Sequence, residues 1–115
     1  MDTYRGTKEY DDVYAELVRV ARNRELIVYE EVGRIMGLSR GPRLPDELSK
    51  ILWEICEDEA KADRPMLSSV AVAKDNREPS GGFYWDAQKL GRLQPGQNRR
   101  EFWQQELEDT YKAWS

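Results

Sequence analysis

From Tyr10 to Ala21 the large apolar residues are Tyr10, Val13, Tyr14, Leu17, Val18 and Ala21, a spacing that suits one buried face of an α-helix and not a strand. Asp11 and Asp12 lie near the positive start of that helix and Arg19, Arg22 and Arg24 near its negative end, as the helix dipole prefers. Such a stripe must be covered, so the rest of the chain is read for elements that cover it. Residues 26–29 are a short apolar run, a strand stub or an extended entry. Glu30 and Glu31 open a second, short helix with Val32, Ile35 and Met36 inward, and Gly37 followed by Leu38 suits a C′ glycine with its hydrophobic partner. After a loop over residues 39–45, Pro45 and Asp46 open a third helix with Leu48, Ile51, Leu52 and Ile55 on one face. Trp53 lies off that face, and residues 57–59 form a solvated acidic end.

Beyond Arg64-Pro65 the period changes. Residues 66–74 are rich in small and β-branched types and read as a strand. Residues 75–82 are turn material, and Phe83-Tyr84-Trp85 reads as a second strand, so the two are expected to pair as an antiparallel hairpin. Asp86 is placed to cap a short helix ending at Gly91. A last helix carries Trp103, Leu107, Tyr111 and Trp114 as a stripe, with Phe102 beside it. The expectation is a single α+β domain over residues 1–115, winged helix-turn-helix-like, with three N-terminal helices, a β-hairpin and a C-terminal helix.

Composition narrows the chemistry. Histidine is absent, which removes the usual general base at neutral pH and the commonest zinc ligand. Carboxylates, Lys, Tyr or a carboxylate-bound magnesium remain as catalytic options. Cys56 is the single cysteine and permits no internal disulfide, so a reducing, cytoplasmic compartment is the simplest reading. No run of about 18 apolar residues exists to span a membrane, and residues 1–12 carry no apolar stretch of the kind a secretory signal needs. The net charge of −4 is uneven: residues 32–45 and 87–100 contain cations and no acid. Long-range repulsion of polyanions can therefore coexist with local phosphate contacts.

Between Tyr29 and Tyr84 the order of features resembles the DNA-binding domain of alkylguanine-DNA alkyltransferases and alkyltransferase-like proteins. The run Tyr29-Glu-Glu-Val-Gly-Arg-Ile-Met-Gly37 looks like that family's tyrosine-led short helix, with Arg40 near its arginine and residues 46–56 near its recognition helix. Arg64-Pro65-Met66-Leu67-Ser68-Ser69-Val70 stands where the active-site run would be, and Gly81-Gly82-Phe83-Tyr84 looks like the hairpin. The resemblance implies a DNA-binding winged helix. It does not imply alkyl transfer, because Met66 occupies the acceptor cysteine's place and Leu67 the histidine's. A wider pattern, from Tyr29-x-x-Val-Gly through Pro65-x-Leu-Ser to Phe102-Trp103, is similar to one in small bacterial proteins.

Two catalytic patterns fail on chemistry. Pro45-Asp46 followed by Glu59-Ala60-Lys61 matches the letters of a magnesium-nuclease motif. At 1.5 Å per residue one continuous helix separates Asp46 from Glu59 by about 20 Å, too far to share an ion. Ser68 and Ser69 have no histidine to activate them and are expected as one inward and one outward residue on a strand; Cys56 is expected as a small buried hydrophobe. The chain is therefore expected to be a non-catalytic nucleic-acid-binding regulator or accessory protein. Its contacts are Tyr29, Arg34, Ser39, Arg40, Arg43 and Lys50 around the start of the third helix, with Arg77 at the wing tip. The alternative is a protein-binding adaptor, inhibitor or immunity-type subunit that uses the acidic third helix and exposed anchors at Trp53, Phe83 and Trp85. No metal or cofactor is assigned, and pairing into a homodimer is left open.

Overall fold

The computed structural model describes residues 2–39 and 41–115. Helix α1 (Lys8–Arg22) buries the stripe read from the sequence, with Val13, Leu17 and Ala21 fully enclosed. Thr7 caps its start, Oγ1 accepting the Tyr10 N–H at 3.2 Å. A two-residue strand, β1 (Ile27–Val28), leads directly into α2 (Tyr29–Ile35). Gly37 then takes φ +79°, and the Leu38 N–H returns to the Gly33 carbonyl at 2.8 Å, the glycine stop expected there. Gly33 is packed under the start of α3 (Leu44–Lys61): a Cβ on it would meet Leu44 Cδ1 at 2.4 Å, so that flexible side chain would have to turn aside.

The expected hairpin is absent, and both of its strands are corrected. Residues 66–74 do not extend together: Leu67–Val70 wind into a 3-10 turn, and only Ala71–Val72 extend, as β2. β2 pairs parallel with β1, Ile27 opposite Ala71 and Val28 opposite Val72. A parallel pair requires a long crossover, and α2 with α3 supplies it. Ser68 and Ser69 in the turn are small because the turn is enclosed, with α1, α3 and α5 packed around it. Ser68 and Ser69 are accordingly both buried, not split between two faces of a strand.

Phe83-Tyr84-Trp85 belongs to helix α4 (Gly81–Lys89). Over three residues an aromatic run looks extended. Continued through Ala87, the buried positions are Phe83, Tyr84 and Ala87, which is helical spacing. Asp86 lies inside this helix instead of capping another, and no wing tip exists at Arg77, which sits in the 73–80 loop with φ +58°. Among the described residues the architecture is five α-helices around one two-residue parallel strand pair, mostly helical instead of an α+β winged helix. No described helix is long and apolar enough to cross a membrane.

Helix α5 (Arg99–Ala113) buries Phe102, Trp103 and Tyr111, and also Glu106 and Thr110. Those two polar residues clasp the 3-10 turn. Glu106 Oε2 accepts the Met66 N–H at 2.8 Å and the Arg92 Nε–H at 2.7 Å, while Thr110 Oγ1 lies 2.9 Å from Ser69 Oγ. Trp103 Nε1 donates to the Ser69 carbonyl at 2.8 Å. The acidic end of α3 is likewise internal. Glu54 accepts the backbone N–H groups of Thr3, Tyr4 and Arg5 at 2.6, 2.9 and 3.0 Å, and Arg5 reaches on to Glu57 and Asp58 at 3.0 Å each. Glu59 is fully buried against Arg64 and the Tyr14 hydroxyl. The solvated acidic end expected at 57–59 is therefore corrected in part: Glu59 is buried, while Glu57 and Asp58 are partly exposed and tied to Arg5.

Candidate ligand cavity

A cavity of about 660 Å³ lies between the α2–α3 pair and α4. Helix α3 supplies one wall at helical spacing, Leu44, Leu48 and Leu52, with Pro45, Ser49 and Trp53 beside them. Helix α4 supplies the opposite wall from Gly82, Phe83, Trp85, Asp86 and Lys89, while Ser68 reaches it from the enclosed turn and Ala73 from just past β2. Tyr29, first residue of α2, closes a corner: its hydroxyl accepts the Ser80 N–H at 2.9 Å and ties α2 to the start of α4. The volume and apolar lining are those of a small-ligand site with a few convergent polar groups.

The polar groups are distinctive. Lys89 Nζ sits 4.2 Å from the centre of the Trp53 ring, a cation placed on an aromatic face. Ser68 Oγ lies 2.9 Å from Cys56 Sγ, and burial pushes that thiol up to about 12, so Cys56 is the inert small side chain it was expected to be. Asp86 is half-buried, and burial pushes its carboxyl up to about 6, with Lys89 pulling weakly the other way. The other charged or titratable groups around the cavity are Lys50 on α3 and Glu30 and Tyr29 on α2.

The structure brings together five of the residues singled out from sequence. Tyr29, Lys50, Trp53, Phe83 and Trp85, drawn from two separate expected surfaces, line this one cavity. Phe83 is corrected from an exposed anchor to a core residue at 5% exposure, edge-on to Tyr84. Trp85 is exposed, at 63%. Trp53 is half-buried under Lys89. Arg34, Ser39, Arg43 and Arg77 do not line the cavity. Arg34 is held by Glu31 through contacts of 2.6 and 2.7 Å, Lys50 pairs with Glu47 at 2.9 Å, and Ser39, Arg43 and Arg77 are exposed. Arg40 lies outside the described residues. Of the second cationic stretch, Arg92 is taken by Glu106 and Arg99 lies over the Tyr84 ring at 5.2 Å.

The nuclease letters do not converge: α3 is unbroken from Leu44 to Lys61, Asp46 is exposed at its start, and Glu59 is buried near its end. Met66 and Leu67, at the places of the family's cysteine and histidine, are both core residues. Compared with protein-family models, curated proteins and solved structures, the chain matches none. The functional reading therefore rests on the cavity.

Asp86 gives a pH-dependent expectation. Its folded pKa lies above the ordinary aspartate value of 3.8, so between about 4 and 6 the unfolded chain gives up this proton first, and the fold loses stability as pH rises. Asp86→Asn is neutral throughout and escapes that loss. The variant is expected to melt higher than the parent at pH 7.5 and to lose this advantage at pH 4, as thermal unfolding followed by circular dichroism would show. An advantage of equal size at both pH values would contradict the assignment.

Proposed function

We propose that the chain is a non-catalytic nucleic-acid-binding regulator or accessory protein that takes one unstacked base into the cavity between α2–α3 and α4. The observation that carries this reading is the cavity itself, with Trp53 and Phe83 in its walls and Trp85 exposed beside them. Bases removed from a stack are held by aromatic faces and read along their edges. The exposed Arg43 just before α3 supplies one cation for the adjoining phosphates, and the exposed Lys50 and Lys89 on the lining supply two more by leaving Glu47 and the Trp53 ring. Only about three phosphates can be met this way, so the logarithmic salt slope for a single strand is expected to be shallow, about −2. A globally acidic protein suits an unpaired site, where stacking carries the affinity, better than a long duplex footprint.

Fluorescence anisotropy with a single strand, a duplex containing one unpaired base and a fully paired duplex tests this. The first two should bind more tightly than the third. Trp85→Ala should weaken binding by roughly 5- to 150-fold, the loss of one base–aromatic stack. Absence of binding at low salt, or indifference to Trp85→Ala, would overturn the proposal. A second reading rests on the same exposed Trp85: a protein adaptor whose partner inserts a side chain into the cavity. Capture of a partner without nucleic-acid binding, abolished by Trp85→Ala, would favour it.

A further inference from the structure

Three other buried acids in this fold are satisfied from within. Glu54 takes three backbone N–H groups, Glu59 takes Arg64 and Tyr14, and Glu106 takes Arg92 and the Met66 N–H. Asp86 is different. It is half-buried in the cavity wall, yet among the described residues its carboxylate receives no hydrogen bond and no ion pair. Lys89, one turn on and the nearest candidate, has its ammonium over the Trp53 ring instead. A half-buried carboxylate with no protein donor depends on water, and an occupant that displaces that water must itself donate to it. The apolar walls and the exposed ring of Trp85 suit a flat occupant, and Asp86 is acceptor-only when ionised.

We infer that the occupant of the cavity is an amino-bearing nitrogen heterocycle, stacked against the aromatic wall with its exocyclic amino group donating to Asp86. The inference rests on the base-binding reading and names which bases that site takes. A ring with an amino group satisfies the carboxylate. A ring that presents only a carbonyl or a bare ring nitrogen there sets acceptor against acceptor and leaves Asp86 unpaired. Burial, which already disfavours the free carboxylate, makes that donor worth more than it would be in water.

The test compares matched pairs: adenosine with purine riboside, which lacks only the amino group, and cytidine with uridine. Each nucleoside is titrated to millimolar concentration against the parent and Asp86→Asn at pH 7.5, following tryptophan fluorescence. The same bases are then placed at the single unpaired position of an oligonucleotide duplex. The amino-bearing member of each pair should bind the parent roughly ten- to a hundredfold more tightly. Asp86→Asn should bring that ratio close to one while the fold, checked by its melting temperature, is retained. Equal affinities in the parent, a preference that survives Asp86→Asn, or no nucleoside binding at all would overturn the inference. Oligonucleotides that bind without base preference would leave the base cavity standing and remove the role of Asp86. Nucleosides that show the Asp86-dependent preference while no oligonucleotide binds would do the reverse.

Discussion

Arg64→Met is expected to destabilise the fold by about 3–5 kcal/mol, because it strands a buried carboxylate. Glu59 has a side chain only 1% exposed, and Arg64 contacts both of its oxygens, at 3.0 and 2.9 Å. Without the guanidinium, Glu59 retains one donor, the Tyr14 hydroxyl at 2.6 Å. The reverse substitution is gentler. Arg64 is 39% exposed and also lies over the Trp114 ring at 5.2 Å, so Glu59→Leu leaves a cation that water can reach. Joining the two changes in Glu59→Leu/Arg64→Met replaces the pair by apolar side chains and should recover most of the loss. Urea unfolding of the parent, the two single variants and the double closes the cycle. A cost below about 1 kcal/mol for Arg64→Met would mean that the pair is solvated and carries little.

Glu54→Ala is expected to act locally before it acts globally. The Glu54 carboxylate is the common acceptor of three consecutive backbone N–H groups, those of residues 3, 4 and 5, and Arg5 also donates to the Glu54 carbonyl at 3.1 Å. Tyr4 adds a hydroxyl bond to Glu47, and Tyr10 one to Asp58. Removing the carboxylate frees residues 3–5, an N-terminal strap held to α3, from their anchor, with an expected loss of about 2–4 kcal/mol for charge-assisted bonds that water partly replaces. Hydrogen exchange distinguishes the mechanism: the amides of residues 3–5 should lose protection first, while those of α5 keep theirs relative to the new global stability. Uniform loss across the chain would show that Glu54 supports the core and not the strap.

How much of this was legible depends on how long each signal runs. α1, α3 and α5 are each readable as apolar positions repeated over several turns, α2 over about two, and Gly37 marks a stop that the backbone uses. The hairpin was read from residues 66–74 and 83–85, runs too short to separate a pleated period from a helical one. Small side chains such as Ser68 and Ser69 suggested a strand when their cause was enclosure by three helices. Sequence could have shown that Arg34 is occupied, since Glu31 precedes it by three on the same helix. It could not show that Tyr29, Lys50, Trp53 and Trp85 meet, because the α2–α3 crossover and the placement of α4 decide that. The internal roles of Glu54, Glu59, Glu106 and Thr110 were not legible for a related reason: polar types read as surface until their partners, up to 51 residues away, are known.

Helix α4 divides its labour by position. Tyr84 and Ala87 pack inward, Trp85, Asp86 and Lys89 face the cavity, and Phe83 does both. Substitutions at 85, 86 and 89 can therefore change what the cavity accepts while Tyr84 and Ala87 keep the helix seated. Under selection such a helix can drift in ligand preference faster than in fold. Descendants of one ancestral chain would then share α1, α3 and α5 and differ in what they hold, and residue 86 would be the first place to look for that difference.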